Sequence, residues 1–246
     1  GVVREDSVEA AAAVAAAYVT NGIRIIEITL TTPDAIDLIA TLAKRHEEIT
    51  VAAGTVRSPN DAALARRAGA TVIVSPHTDP RIIEYANVND LLSIPGAATA
   101  TEIIRAWEIG CDIVKVFPAM HLGGPDYIRT IRGPIRDIPM IAGGPVPLDT
   151  IDSYLDAGCI GVNLGASLAV PDLVRDGYVR KRAHPDDGRA VVVVATAKAR
   201  RALETGRERR LVLLQELFSE LSDDEWGVLD RAAAIIEQRV TTANFR

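Results

Sequence analysis

Asp112-Ile113-Val114-Lys115-Val116-Phe117-Pro118-Ala119 reads as a short buried β-strand with one lysine at its centre. β-Branched and aromatic residues surround Lys115, and Pro118 ends the run. A lysine in that setting either extends its stem to solvent or stays inside with its pKa lowered by desolvation. An amine of the second kind can attack a carbonyl carbon and form a Schiff base. The chain has four lysines, Lys44, Lys115, Lys181 and Lys198, and the other three sit in polar or helical surroundings.

Outward from this strand the chain alternates. Val2-Val3 reads as the tail of a first strand, and Ser7 caps an alanine-rich helix to Thr20. Strands follow at 23–30, 50–55, 71–76 and 91–95, then the Lys115 strand, then 139–142 and 160–164. Helices lie between them, started by Thr32-Pro33, Ser58-Pro59, Asp79-Pro80, Thr99, Pro125 and Pro147. Eight strands alternating with helices mean parallel βαβ units, and eight such units close into a TIM (β/α)8 barrel of the α/β class. The alternative is an open doubly wound sheet, but no Gly-x-Gly-x-x-Gly follows the first strand.

Barrel chemistry collects at the C-terminal ends of the strands. Glu27, Thr29, Thr55, Ser75, Pro95, Lys115, Ala142, Gly143 and Ser167 fall at or near those ends. Glu27 lies between Ile26 and Ile28, so it too is ionisable in an apolar strand. A buried carboxylate and a buried ammonium are each costly alone and tolerable together. Glu27 and Lys115 are therefore expected to point into the barrel as a functional pair. Gly143-Gly144 and Gly165-Ala166-Ser167 could present backbone N–H groups to an anion such as phosphate.

The 246 residues carry a net charge of −6, with 48% apolar and 24% charged residues. That balance suits a globular chain and argues against a protein whose main partner is nucleic acid. Cys111 and Cys159 lack metal-ligand spacing and read as reduced core thiols of a cytoplasmic protein. No apolar run approaches the length of a membrane span, and no metal site is expected. Gly1-Val2-Val3 starts in mid-strand, so a segment is expected upstream and the barrel is read as N-terminally truncated.

Six motifs occur in order: Ile26-Glu27-Ile28-Thr29-Leu30, Ala53-Gly54-Thr55-Val56, Val74-Ser75-Pro76, Ile94-Pro95-Gly96, Lys115-Val116-Phe117-Pro118-Ala119 and Gly143-Gly144. In this spacing residues 1–170 resemble the 2-keto-3-deoxy-6-phosphogluconate (KDPG) / 4-hydroxy-2-oxoglutarate (KHG) aldolase family. The resemblance implies a TIM barrel that often assembles as trimers, a small 2-keto acid substrate, and a Schiff-base mechanism that uses no metal or other cofactor. It places the Schiff-base lysine at Lys115 and the acid/base glutamate at Glu27. It assigns phosphate loops to Gly143, Gly144, Gly165 and Ser167, and substrate contacts to Arg4, Thr55, Pro76 and Phe117. Two residues depart from the family pattern: Ala142 stands where a Thr or Ser usually precedes the two glycines, and Thr31 stands where some members carry an arginine.

After Ser167 the family barrel continues with one long helix, whereas this chain turns to Val174–Arg182, Pro185-Asp186-Asp187-Gly188 and Ala190–Ala195. Two strand-like runs about such a turn make a β-hairpin. A helix from Ala197 to Glu220 and a last helix capped by Ser222-Asp223-Asp224-Glu225 follow. Residues 173–246 thus resemble the wing and C-terminal dimerisation helices of MarR-type winged-helix regulators, which implies a dimer. The helix-turn-helix that would precede a wing is absent from 145–172, which spell barrel instead. The domain expectation is an aldolase-like barrel over 1–172, lacking its usual last helix, and a MarR-like segment over 173–246. The competing functional reading is a regulator or dimerisation fragment carrying an inactive barrel.

Overall fold

A computed structural model of the chain describes residues 1–165, 173–174, 176–183, 191–218, 221–222 and 225–228. It divides into two compact units, Gly1–Leu173 and Val174–Arg246.

In the first unit, β1 (Val2–Val3), β2 (Ile25–Thr29), β3 (Thr50–Gly54), β4 (Val72–Val74) and β5 (Leu92–Ile94) form a parallel sheet in that order. A second parallel sheet runs β6 (Gly96–Ala97), β7 (Val114–Val116), β8 (Met140–Ala142), β9 (Gly161–Val162). The two sheets are joined on both sides. β5 and β6 are one extended segment interrupted at Pro95, which has no N–H for the ladder. Its carbonyl still accepts from Lys115 N at 2.9 Å. On the other side Val2 N donates to Leu164 O at 2.6 Å, tying β1 to the end of β9. The strands therefore close into a barrel, and the open-sheet alternative is overturned.

Seven helices join the strands: α1 (Val8–Thr20), α2 (Ala35–Arg45), α3 (Pro59–Arg67), α4 (Pro80–Val88), α5 (Ala100–Ile109), α6 (Gly124–Arg132) and α7 (Ile151–Asp156). Their starts follow local chemistry. Ser7 accepts from Ala10 N and Ser58 from Asp61 N. Thr99 and Glu102 make a reciprocal capping box, and Gly110 stops α5 in the left-handed region at φ 98°. α2 begins at Ala35 rather than at Thr32-Pro33. Thr32 is drawn into the barrel mouth instead, where its hydroxyl accepts from Glu5 N and pairs with Thr29. Short 3-10 turns at Ala119–Leu122 and Leu148–Thr150 precede α6 and α7.

The helix-facing residues of the strands make the core. Ile26 and Ile28 on β2 pack with Ala11, Ala15, Leu38 and Ile39 of α1 and α2. Val114 and Val116 on β7 pack with Ile103, Ala106, Ile128 and Ile131 of α5 and α6. Because successive side chains of a strand point to opposite faces, Glu27, Thr29 and Lys115 face the barrel interior. All three are buried.

In the second unit β10 (Val179–Ala183) pairs antiparallel with β11 (Val191–Ala195), from Val179↔Ala195 to Ala183↔Val191. Helix α8 spans Ala197–Phe218, and Ser222 and Glu225 exchange capping hydrogen bonds. The expected wing tip at 184–190, most of the expected last helix, Ser167 and the stretch where the barrel's own last helix would begin lie outside the described residues. Among the described residues no helix is long and apolar enough to cross a membrane.

The alternation around Glu27 is testable by truncation. Ile28→Ala deletes a fully buried side chain and is expected to cost about 2–5 kcal/mol. Ile25→Ala, at the exposed start of the same strand, is expected to stay within about 0.5 kcal/mol. Urea denaturation of both variants checks this, and equal losses would contradict the assigned register.

Candidate active site

Lys115 sits in the middle of β7 and is 7% exposed. Its stem crosses Gly143, the residue after β8. A Cβ there would lie 2.7 Å from both Lys115 Cγ and Cδ, so any larger residue would compete with the lysine for the same space. Its Nζ lies 5.4 Å from the centre of the Phe117 ring, two residues along the same face. Burial is the largest influence on the amine and lowers its pKa from the ordinary 10.5. Glu27 opposes that shift and Arg4 adds to it.

Glu27 is also 7% exposed, on the interior face of β2. It lies against Gly54 at the end of β3, where a Cβ would sit 2.0 Å from Glu27 Oε1. Each ionisable group of the interior therefore occupies room left by a glycine at the end of the neighbouring strand. Glu27 and Lys115 act on each other through space. The ion pairs formed among the described residues, His46–Glu48, Arg81–Asp79 and Arg129–Asp126, lie elsewhere. Glu27 instead takes a hydrogen bond from Asn163, whose Nδ2 lies 2.8 Å from Oε2. Asn163 follows β9 and was not among the expected site residues. Its signal in the sequence was a lone polar residue between Val162 and Leu164 at the C-terminal end of strand eight.

Arg4 and Thr55 are brought together: Arg4 Nη2 donates to Thr55 Oγ1 at 3.2 Å. Thr55 is held at φ 59°, a rare conformation for a β-branched residue and one that recurs at ligand sites. Thr31 meets the buried Thr29 hydroxyl at 3.1 Å, and Thr29 in turn meets Thr32, so three hydroxyls form a chain here. Pro76 lies where the loop after β4 folds over β6; a Cβ on Gly96 would fall 2.4 Å from its carbonyl carbon. Gly144, at φ 106°, packs against Pro118. Gly165 lies beside Val2, a Cβ reaching 3.5 Å from the valine's own. Ala142 is fully buried, and its carbonyl accepts from Asn163 N at 2.8 Å. Lys115, Glu27, Phe117, Gly143, Arg4 and Thr55 thus gather around one barrel mouth through direct or electrostatic contacts. Gly144 also comes beside the Phe117 ring, a Cβ there lying 3.7 Å from Phe117 Cδ2, whereas Pro76 and Gly165 meet Gly96 and Val2 rather than Lys115 or Glu27. Among the described residues no three His, Cys, Asp or Glu side chains converge as a metal site.

A buried amine also has a stability signature. Since the folded-state pKa of Lys115 lies below 10.5, the unfolded chain binds more protons between the two values. Stability therefore rises with pH across that interval, and the penalty for burying the ammonium is full only below the folded pKa. Lys115→Met is expected to be more stable than the parent near neutral pH by roughly 0.5–2 kcal/mol. The difference should close as pH rises toward 10.5. Urea denaturation from neutral to alkaline pH measures it, and a difference that does not change with pH would contradict the assignment.

Comparison with known proteins bears on what this mouth is for. The chain is 36% identical over 154 residues to the 2-dehydro-3-deoxy-phosphogluconate aldolase of Treponema pallidum (strain Nichols), covering 63% of this chain and 73% of that one. Among solved structures it is similar to the native KDPGal structure, with 30% identity, a TM-score of 0.65, and 68% of this chain and 82% of that one covered. It is also similar to the KDPG aldolase from Legionella pneumophila with pyruvate captured as a covalent carbinolamine intermediate. There the identity is 25% and the TM-score 0.63, over 72% of this chain and 85% of that one. The family model for KDPG and KHG aldolase matches residues 1–182, through β9 and into β10, so this chain belongs to the KDPG and KHG aldolase family.

Proposed function

We propose that this chain is a Schiff-base aldolase that cleaves a 2-keto-3-deoxy-6-phospho sugar acid or 4-hydroxy-2-oxoglutarate into pyruvate and an aldehyde. The observation that carries the reading is the Lys115 amine, buried inside a parallel barrel with its pKa lowered and Glu27 close enough to act on it. The carbinolamine trapped on pyruvate in the Legionella relative supports the same chemistry.

In this reading Lys115 Nζ adds to the C2 carbonyl of the substrate, and the resulting carbinolamine loses water to give an iminium. Removal of the C4 hydroxyl proton drives electrons from the C3–C4 bond into the iminium. The aldehyde leaves and a pyruvate enamine remains. Protonation at C3 and addition of water then release pyruvate and restore the amine. Glu27, directly or through a water, moves these protons. Its closeness matters because each step otherwise generates an unpaired charge in a low-dielectric interior. Arg4 and Thr55 hold the substrate carboxylate, Pro76 and Phe117 wall the pocket, and the distal anion is bound by the loops of Gly144 and Gly165, with Ser167 assigned to the same subsite. The Gly143 N–H is donated to Val116 O at 2.9 Å, so Gly143 contributes the room it leaves for the Lys115 stem rather than an anion contact. Ala142 brings no hydroxyl to the carboxylate, so binding relies more heavily on Arg4 and Thr55.

The reading extends to the rest of the chain. Residues 1–172 are the aldolase barrel. Residues 173–246 are a separate segment of the MarR wing-and-dimerisation type, supported by the β10–β11 hairpin and the capped helix that follow. The protein is then a homo-oligomer, with the barrel favouring three chains and the tail two. A cytoplasmic setting fits Cys111 and Cys159, buried thiols whose pKa values burial pushes up to about 11. The regulator reading, with an inactive barrel, draws on the wing-like tail and on the exposed basic run Arg180-Lys181-Arg182 on β10, and the lack of a helix-turn-helix in the sequence before the wing counts against it.

Pyruvate release measured with each of the two substrate types, by a lactate dehydrogenase-coupled assay, tests the proposal. Turnover is expected with at least one, and Lys115→Met should abolish it. A folded parent that releases no pyruvate from either, or a Lys115→Met variant that keeps turnover, would contradict it.

A further inference from the structure

Asn163 is anchored before its side chain is used. Its backbone N–H donates to Ala142 O at 2.8 Å, extending the β8–β9 ladder by one residue. Its Nδ2 then reaches Glu27 Oε2 at 2.8 Å, a contact between residues 136 positions apart. The second carboxylate oxygen, Oε1, lies in the space above Gly54. The two oxygens of Glu27 are therefore unequal. Oε2 is held by an amide N–H, which has no capacity to take up a proton near neutral pH. Oε1 is left to exchange one.

From this geometry we propose that Asn163 is a positioning residue for the aldol reaction. It holds the Glu27 carboxylate by Oε2 so that Oε1 faces the bound substrate and carries the proton transferred to and from C3 of the pyruvate enamine. The proposal rests on the acid/base reading of Glu27 and adds which oxygen acts and what aims it. A glutamate carboxylate on three rotatable side-chain bonds otherwise samples several orientations. A misplacement of about 1 Å at a reacting group can cost about 100-fold in rate.

The step can be isolated with pyruvate alone. Pyruvate forms the iminium on Lys115, Glu27 removes a C3 proton to give the enamine, and a deuteron from D2O returns to C3. Loss of the methyl signal in proton NMR reports that exchange, and borohydride trapping reports iminium formation separately. Asn163→Ala is expected to slow exchange about 10- to 100-fold, the effect of losing one hydrogen bond to a charged group, while trapping on Lys115 persists. Asn163→Asp keeps the shape but has no donor when ionised, and it should slow exchange at least as much. Asn163→Gln keeps the donor and should recover part of the rate. Exchange at the parental rate in Asn163→Ala or Asn163→Asp, while Glu27→Gln is impaired, would overturn the role of Asn163 alone. Parental exchange in Glu27→Gln would overturn the Glu27 reading and this inference with it. Loss of trapping and exchange together in all three Asn163 variants would mark Asn163 as structural and overturn the proposal.

Discussion

The structure depends on keeping a lysine amine out of water. Desolvation is the dominant influence on Lys115, and it acts against the charged form. Left unopposed, burial of an ammonium is destabilising; balanced by a nearby carboxylate, it becomes tolerable and leaves the amine poised to lose its proton. Glu27 supplies that balance across the barrel interior without direct ion-pair contact, which would hold the lysine charged. Arg4 acts in the opposite sense and keeps the amine from being over-stabilised as a cation.

Room for these two groups comes from the backbone. Gly54 and Gly143 end the strands beside Glu27 and Lys115, and each leaves open the volume that the long side chain fills. The barrel in turn must stay closed for the interior to be dry. Closure is completed at two places, where the carbonyls of Ser93, Pro95 and Ala97 accept from the segment of Lys115, and at the Val2–Leu164 hydrogen bond. Both flank residues of the site, since Lys115 itself makes one and Arg4 follows the strand that makes the other. The fold and the chemistry thus draw on the same short segments of chain.

The barrel was legible because its signals are local and repeated. Alternation placed Glu27 and Lys115 opposite their apolar neighbours, and Ser7, Ser58, Asp79 and Thr99 marked helix starts that the structure reproduces. The α2 start was misread because Thr32-Pro33 has the composition of a cap, while tertiary contacts with Glu5 and Thr29 claim the Thr32 hydroxyl. The break at Pro95 and the 3-10 turns before α6 and α7 depend on packing rather than composition. Asn163 was missed for a related reason. Its meaning lies in a contact 136 residues away, and nothing in its own neighbourhood points to Glu27. The glycines at 54 and 143 were visible as turns, but their service to Glu27 and Lys115 appears only when the neighbouring strands are side by side.

The central claim is that Lys115 alone among the four lysines is a buried amine, its pKa lowered by burial, that attacks the substrate carbonyl. Borohydride reduction in the presence of pyruvate, followed by peptide mass spectrometry, measures this directly. The account predicts a reduced pyruvyl adduct on Lys115, with Lys44, Lys181 and Lys198 unmodified. A folded sample with no adduct on Lys115, or with adducts spread evenly over the four lysines, would contradict it.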